Sequence, residues 1–272
     1  MTVPRRILRS IQRGSFKYDL RERLQARRHG PRILLANAGQ ARGTWSSRRI
    51  NLFAKLLAWP TSYLEVGVQR GYTFEAVEMP NRIAVDPEPQ FSLRELPAGV
   101  SVFALTSDEF FGTLDPEVTF DIVFLDGLHT YQQTYRDLIN SLRHANPHSV
   151  ILIDDVVPSD EVSAMPDMEE AKAERVRRGL SGIAWHGDVF RLVLVLRDHH
   201  PELRVRTIVG SGNEQAVVWK VVLTANSTAI NDSLLNDYKE ISYRDVFSDG
   251  VPEFFRPGTE EEVIQDVMQS MQ

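Results

Sequence analysis

The chain has 272 residues, of which 42% are hydrophobic and 25% charged, and it contains no cysteine. These proportions exclude wholesale disorder, and the length suits one large α/β domain with appendages or two small domains. The absence of cysteine excludes disulfides, thiolate metal sites and a cysteine nucleophile, and it favours a reduced, cytoplasmic enzyme or binding protein.

Charge is distributed unevenly along the chain. The formal net charge is −6, yet residues 1–50 hold twelve Arg and one Lys against only two acids, a net charge of +11. The other 222 residues therefore carry a net charge of −17. A basic arm of this kind is expected to seek a negative partner, which is nucleic acid, a membrane or the acidic remainder of the chain itself.

Targeting and membrane segments are not predicted. No apolar run, including the one at Val150–Ile153, approaches the ~20 residues of a membrane helix. The first thirteen residues are basic but have no apolar core, so a secretory signal is not expected. Their Arg-rich composition also resembles an organellar transit peptide, an interpretation that Asp19 and Glu22 disfavour.

The first 59 residues predict a basic helical arm or lid. Leu, Ile and Arg recur at roughly helical spacing over Ile7–Leu35, where Gly30 and Pro31 break the pattern. A short helix is predicted over Ile50–Trp59, and Pro60 ends it.

From residue 60 onward, short runs of Val, Ile and Leu alternate with helical patterns. Five strands are predicted, over Ser62–Val68, Arg82–Val85, Val100–Leu105, Phe120–Leu125 and Ser149–Ile153. Helices are predicted around Thr73–Val77 and over Tyr131–Ala145, the second closed by Asn146 and Pro147. Because continuous apolar runs between helices are typical of strands buried on both faces, the sequence predicts a parallel sheet.

The later part of the chain has a different pattern. A charged surface helix or lid is predicted over Pro166–Leu180, a helix over Val189–His199, and two hairpin strands over Leu203–Val209 and Ala216–Leu223. Beyond Thr224 the pattern fades into an acidic tail. The predicted fold class is α/β, a Rossmann-like doubly wound sheet that is mostly parallel with a reversed last strand. It occupies residues 60–225, between the arm of residues 1–59 and the tail of residues 226–272.

Acidic residues follow four of the five predicted strands: Asp86, Asp108, Asp126, and the pair Asp154 and Asp155. Doubly wound sheets bind their ligands at the carboxyl ends of the strands, near the point where the strand order reverses. The placement of these acids therefore predicts a ligand site at that edge.

The turn after the first strand of this sheet predicts a cofactor. Gly67 and Gly71 allow a tight turn and a close ligand, although they also form an ordinary strand–helix turn. Gln69 stands where a dinucleotide motif has glycine, and Glu65 would repel a pyrophosphate but attract an ammonium group. Asp86 is placed to accept both hydroxyls of a ribose. A cationic amino acid joined to a nucleoside is S-adenosylmethionine, which fits these features best.

Six motifs carry a resemblance to a known family: Glu65-Val-Gly-Val-Gln-Arg-Gly71, Val85-Asp86, Ser107-Asp-Glu-Phe-Phe111, Phe120-Asp-Ile-Val-Phe-Leu-Asp-Gly-Leu-His-Thr-Tyr131, Val150-Ile-Leu-Ile-Asp-Asp155 and Gly187-Asp-Val189. The chain resembles class I S-adenosylmethionine-dependent methyltransferases over about residues 63–222. Within that class it is similar to the metal-dependent bacterial sugar O-methyltransferases of natural products, the macrocin O-methyltransferase and cephalosporin-hydroxylase-like branch. The motif from Phe120 to Tyr131 is the most specific of the six.

The resemblance implies a set of cofactor-binding residues: Glu65, Gly67, Gly71, Thr73, Asp86, Ser107, Asp108 and Asp126. Among them, Glu65 and the two glycines would bound the methionine pocket, and Asp86 would hold the ribose. Ser107 and Asp108 would lie by the adenine, and Thr73, at a helix N-terminus, would meet the methionine carboxylate.

Three carboxylates, Asp126, Asp154 and Asp155, end two neighbouring predicted strands, and like charges so close are unfavourable without a cation among them. Oxygen ligands and the lack of cysteine indicate a hard ion such as Mg²⁺. The resemblance implies that this ion chelates two adjacent acceptor hydroxyls. His129 is predicted as the general base, with Asp126 as its catalytic neighbour. The alternative is that His129 caps a helix and Asp155 caps a loop.

The sequence thus predicts an S-adenosylmethionine-dependent, Mg²⁺-assisted O-methyltransferase acting on a small-molecule hydroxyl, with a sugar of a glycosylated natural product as the expected acceptor. The rivals are an RNA or protein methyltransferase that uses the basic arm, a non-catalytic cofactor-binding assembly protein, and a nicotinamide dehydrogenase. Few aromatic residues interleave the arm, so nucleic acid is disfavoured, and no membrane partner is expected. We expect the arm to be an assembly or lid element of a homo-oligomer.

Overall fold

The structure, a computed structural model, describes residues 43–57, 60–91, 96–220 and 229–271. The helical pattern predicted over Ile7–Leu35 and most of the basic arm lie outside the described residues. The expected role of that arm therefore stays a prediction.

The described residues form eight strands and eight α-helices, which in chain order are α1 Trp45–Leu56, β1 Ser62–Val66, α2 Tyr72–Ala76, β2 Asn81–Val85, β3 Val100–Phe103, α3 Ser107–Thr113, β4 Phe120–Leu125, α4 Tyr131–Arg143, β5 Ala145–Ile153, α5 Met168–Arg177, α6 Phe190–His199, β6 Leu203–Ile208, β7 Gln215–Lys220, α7 Tyr243–Phe247, β8 Pro257–Gly258 and α8 Glu260–Ser270. Two 3₁₀ turns, Asp232–Tyr238 and Glu253–Phe255, flank α7.

The strands form one sheet in the order β3-β2-β1-β4-β5-β7-β6-β8. Strand β1 pairs in parallel with both β2 and β4, and β2 pairs in parallel with β3. Strands β6 and β7 form an antiparallel pair, and β8 adds to β6 in parallel. The strand order reverses between β1 and β4, which is the switch point where ligands of such sheets bind. The predicted α/β, Rossmann-like, mostly parallel fold class is confirmed.

The chain divides into two compact units. The first contains the described residues up to Gly127 together with Asn140–Val150, and its core includes Leu64, Ile83 and Phe124. In β1, four consecutive residues from Tyr63 to Val66 are buried, so both faces of this strand are covered. That is why the sequence shows an almost continuous apolar run rather than an alternating one.

The second unit contains Leu128–Ile139 and the described residues from Ile151 onward. Helix α6 buries Phe190 and every residue from Leu192 to Leu196, and β7 buries Val217 and Val218. Both segments are predicted as regular elements from their apolar runs, and the structure confirms a helix and a strand there.

Before residue 229, three elements differ most from the sequence prediction. Helix α1 starts at Trp45 instead of residue 50, because the Thr44 side chain accepts a 3.0 Å hydrogen bond from the Ser47 backbone and caps the helix. Helix α3 was not predicted, although Thr106 and Glu109 form a capping box at its start. Strand β5 begins at Ala145, before the Asn-Pro pair that was expected to close the preceding helix.

The segment from residue 229 to 271 is folded, whereas the sequence predicts an irregular acidic tail. Its acids occupy helix N-termini: Glu262 forms a capping box with Thr259, and Asp245 forms one with Ser242. Acidic residues favour such positions because they complement the positive end of the helix. The apolar residues between them, including Phe255 and Val267, are buried.

Within the described part of the chain, no helix has both the length and the apolar character needed to cross a bilayer.

Candidate active site

In the first unit, the turn between β1 and α2 requires glycine for reasons of its own packing. Gly67 has φ +81°, and a Cβ atom there would overlap the backbone carbonyl of Asp126. The backbone of this turn is tied to both neighbouring strands, since Gly67 N donates to Val85 O at 2.9 Å and Asp126 N donates to Val66 O at 2.8 Å. Gly71 has φ +77° and packs on the ring of Phe91. The two glycines therefore fix the backbone at the switch point.

Asp86, the predicted ribose residue, follows β2 and holds the same turn. One carboxylate oxygen accepts from the backbone N–H groups of Val68 at 2.9 Å and Gln69 at 2.7 Å. The other oxygen accepts from Glu88 N at 2.7 Å. An ionised carboxylate accepts about four hydrogen bonds, so Asp86 has capacity for a further donor.

Glu65 lies within β1 and is only 2% exposed. Its carboxyl accepts a 2.6 Å hydrogen bond from the Tyr63 hydroxyl. Burial raises the pKa of Glu65 to about 8, although the Tyr63 hydrogen bond and the charge of Arg82 act in the opposite direction. Arg82 itself donates to the backbone carbonyls of Phe74 and Val77. A cationic ligand that binds beside this buried carboxyl would stabilise its ionised form.

The other predicted cofactor residues of the first unit lie at the starts of helices. Thr73 is the second residue of α2, a helix of only five residues, and its hydroxyl lies 2.8 Å from that of Thr44. Ser107, which is buried, and Asp108, which is exposed, are the first two residues of α3. Both follow β3, as the sequence prediction requires.

Asp126 directly follows β4 and is half-buried. It precedes His129 by three residues, and the chain passes from the first unit to the second between Gly127 and Leu128.

In the second unit, Nδ1 of the His129 imidazole is in hydrogen-bond contact with Oδ2 of the Asp155 carboxylate. Burial alone would lower the pKa of His129, but the hydrogen bond and charge of Asp155 outweigh it, so this pKa is raised above its ordinary value. Both residues have left-handed backbones, with φ +57° for His129 and +63° for Asp155. Such conformations cost about 1–3 kcal/mol each for non-glycine residues and cluster at functional sites.

Asp154 has different surroundings from its neighbour. It is 9% exposed, and the Asn213 side-chain amide donates to both of its oxygens, at 2.7 and 2.9 Å. Burial, together with the charge of Asp155, raises the pKa of Asp154 to about 7. The structure therefore ties Asp154 to the β6–β7 loop and pairs Asp155 with His129.

The segment Trp185–Asp188 packs on the His129 loop. The Trp185 ring lies 4.7 Å from the His129 ring, and a Cβ atom on Gly187 would overlap the His129 carbonyl. Asp188 N donates to His129 O at 3.2 Å, and the Asp188 carboxylate accepts from Tyr131 N at 3.0 Å. The sequence analysis identified Gly187 and Asp188 only as part of a motif, and it assigned no role in the site to Trp185 or Asn213.

Comparison with known proteins adds a family match. Residues 64–156 match a family model described as a methyltransferase domain. The matched stretch begins in β1 and ends directly after Asp155, so it contains both the glycine turn and the His129–Asp155 pair. The predicted resemblance to methyltransferases is confirmed over this stretch. None of the curated proteins matches the chain.

Several solved structures are similar at low identity. The O-methyltransferase TomG from Streptomyces achromogenes, involved in tomaymycin synthesis and solved with S-adenosylmethionine, is 18% identical, covering 81% of this chain and 99% of that one, with a TM-score of 0.45. The methyltransferase PaMTH1 from Podospora anserina is 13% identical, with 79% and 94% covered and a TM-score of 0.44. An O-methyltransferase from Bacillus cereus is 16% identical, with 78% and 96% covered and a TM-score of 0.41. At such values, nothing about the ligands of the present chain follows from them.

Proposed function

We propose that this chain, an enzyme whose residues 64–156 form a methyltransferase domain, transfers the methyl group of S-adenosylmethionine to a hydroxyl oxygen of a small molecule. The acceptor class that we propose is a sugar of a glycosylated natural product. The observation that carries the proposal is the His129–Asp155 pair, which is built on two left-handed backbones in the segments that follow β4 and β5.

The first unit fits S-adenosylmethionine, which supplies a methyl group on a positively charged sulfur. Glu65 supports this assignment because a buried carboxyl with a raised pKa ionises favourably beside an ammonium group. Asp86 supports it because its carboxylate retains capacity for a ribose hydroxyl after binding three backbone amides. We assign Ser107 and Asp108 to the adenine and Thr73 to the methionine carboxylate as part of the same proposal.

A hard divalent cation such as Mg²⁺ fits the carboxylates that follow β4 and β5. When bound, such an ion lowers the pKa of the acceptor hydroxyl and holds it in place. We propose Asp155 and Asp126 as its principal ligands. Asp154, the third predicted ligand, would have to exchange its hydrogen bonds from Asn213 for the ion, so we expect its contribution to be smaller.

His129 is the proposed general base. Methyl transfer to oxygen releases the hydroxyl proton, and the neutral imidazole accepts it as the new bond forms. Asp155 orients the ring through Nδ1 and stabilises the imidazolium that results, as carboxylates do in catalytic triads. The Trp185 ring and the Asp188 hydrogen bonds fix the position of the His129 loop.

The proposed function is tested by incubating the full chain with labelled S-adenosylmethionine and a panel of glycosides, with EDTA, without it, and after Mg²⁺ is added back. We expect label transfer that EDTA abolishes and Mg²⁺ restores. Transfer that is insensitive to EDTA would remove the cation from the proposal, and transfer to RNA or protein alone would contradict the small-molecule acceptor.

A further inference from the structure

His186 lies in the middle of a segment that is fixed on both sides. Its neighbour Trp185 packs on the His129 ring and donates from the indole N–H to Met165 O at 2.8 Å. On the other side, Gly187 fits against the His129 carbonyl, where a side chain would overlap. The backbone N–H of His186 donates to Ser163 O at 2.8 Å. The backbone of His186 is therefore held by the fold beside the His129 loop.

The imidazole of His186 is directed at Asp155. Its Nε2 lies 4.0 Å from Oδ1 of Asp155, whereas His129 contacts the other oxygen, Oδ2. The Asp155 carboxylate thus has one imidazole at each oxygen. At 4.0 Å the Nε2–Oδ1 separation is longer than a hydrogen bond, so a direct hydrogen bond requires the two atoms to approach by about 0.8 Å.

The second nitrogen of His186 decides which role the ring can take. Its Nδ1 is buried, and no hydrogen-bond partner for it exists among the residues that the structure describes. Nδ1 has no such partner in either tautomer, but a protonated Nε2 faces a carboxylate acceptor, whereas an unprotonated Nε2 would face it lone pair to lone pair. The favoured tautomer therefore carries its proton on Nε2, the nitrogen that faces Asp155.

This tautomer excludes His186 as a metal ligand. A histidine that binds a metal through one nitrogen almost always donates a hydrogen bond from the other, and Nδ1 of His186 has no acceptor among the described residues. An imidazole with its proton on Nε2 acts instead as a donor to the carboxylate. Each oxygen of Asp155 has two lone pairs, so Oδ1 can accept from His186 and still bind a cation.

We infer that His186 is a positioning residue that acts through Asp155. Its Nε2–H would donate to Oδ1 of the carboxylate, which would keep Oδ2 on His129 and orient the carboxylate that would hold the divalent cation. This inference rests on the proposed function, because it assigns a partner to the carboxylate that the proposed function uses. Replacing such a partner of a metal-binding carboxylate typically lowers metal affinity or activity by about 10–100-fold.

Two substitutions separate this role from mere packing. The side-chain amide of His186→Gln reaches the place of Nε2, whereas that of His186→Asn reaches only the place of Nδ1. Calorimetric titration of the full chain with Mn²⁺ should show affinity within a few-fold of wild type for His186→Gln and a loss of about 10–100-fold for His186→Asn. We expect equal melting temperatures for the two variants. Equal Mn²⁺ affinities for the two variants would overturn the inference.

A second readout needs no metal. Long-range ¹H–¹⁵N correlation spectra of the metal-free chain, assigned by comparison with His186→Gln, should show the proton of His186 on Nε2. A proton on Nδ1 would overturn the inference. If the wild-type chain fails to bind Mn²⁺, the cation of the proposed function is contradicted, and the tautomer spectrum alone then decides the role of His186.

Discussion

The turn after β1 and the site formed by His129 and Asp155 both need left-handed backbone, and they use different residues to obtain it. After β1 two of the three positions with positive φ are filled by Gly67 and Gly71 and the third by Gln69 (φ +40°), and at Gly67 no side chain fits. In the second unit the same conformation is adopted by His129 and Asp155, although glycine would be less strained. The glycines of the first turn are therefore dictated by packing, whereas we propose that the second site retains two strained residues for the chemistry of their side chains.

The largest effect is expected from removing the imidazole at His129. Asparagine tolerates left-handed backbone, so His129→Asn should leave the fold intact. We expect the rate of methyl transfer to fall by about 10²–10⁴-fold, the usual contribution of a general base. Calorimetric affinity for S-adenosylmethionine should stay near that of wild type. An unchanged rate would show that the left-handed backbone at His129 serves packing, as the left-handed backbone at Gly67 does.

The two adjacent aspartates provide a matched pair for the next test. Asp155→Asn should lower the rate of methyl transfer by at least about tenfold, because it removes the charge beside His129 and a proposed ligand of the cation. Asp154→Asn should lower it less, since Asp154 is already engaged by Asn213. Steady-state rates at saturating Mg²⁺ compare the two variants. A larger loss in Asp154→Asn would reverse the assignment of these carboxylates.

Substitutions of glycine test the packing side of the comparison. Gly67→Ala should destabilise the fold by several kcal/mol, because the new methyl group overlaps the Asp126 carbonyl at a positive φ. The matched control is Gly112→Ala, where the Cβ has open space within helix α3 and alanine is favoured by about 0.5–1 kcal/mol. Urea denaturation measures the free energy of unfolding of both variants. A loss at Gly67→Ala no larger than the change at Gly112→Ala would mean that the backbone of the turn shifts to accommodate the methyl group.

A dependence of stability on pH is expected apart from these substitutions. Burial raises the pKa of Glu65 to about 8 and that of Asp154 to about 7, so the folded chain binds these protons more tightly than the unfolded chain. The associated stability is present below the unfolded pKa of each carboxyl and is lost as the pH rises through the folded values. We expect a decrease on the order of 6 kcal/mol between about pH 5 and about pH 8.5. Denaturation midpoints measure it.

Glu65→Gln is the control for this dependence, because an amide has no proton to lose. In this variant, most of the decrease in stability above about pH 7 should be absent. An identical pH profile in Glu65→Gln would show that Glu65 ionises normally within the fold.

Most of the sheet was predictable because its strands are marked locally. The run Phe120–Leu125 was predicted with the bounds that the structure has, since buried parallel strands require continuous apolar residues. The positions of Glu65, Asp86 and Asp126 followed for the same reason, because each is defined by the strand that contains or precedes it. The helix capped by Thr106 was overlooked although its capping box was visible in the sequence.

The contacts within the site were not predictable, because they join distant segments. Asn213 reaches Asp154 across 59 positions of the chain, and Asp188 reaches Tyr131 across 57. No local pattern encodes such pairs, so adjacent aspartates with identical sequence signals acquired different surroundings. The acidic residues after residue 229 were misread for a related reason, because a charge near a helix start resembles a tail until its capping partner is seen.

The central claim is that His129 and Asp155 act as one unit in methyl transfer. It is tested most directly by a double-mutant cycle at saturating Mg²⁺, which offsets the loss of a proposed cation ligand, with single-turnover methyl transfer measured for His129→Asn, Asp155→Asn and the double variant. Groups that act as a unit are strongly non-additive. We predict that the double variant is no slower than His129→Asn alone. Losses that multiply in the double variant would show that the two residues act independently, which would contradict the claim.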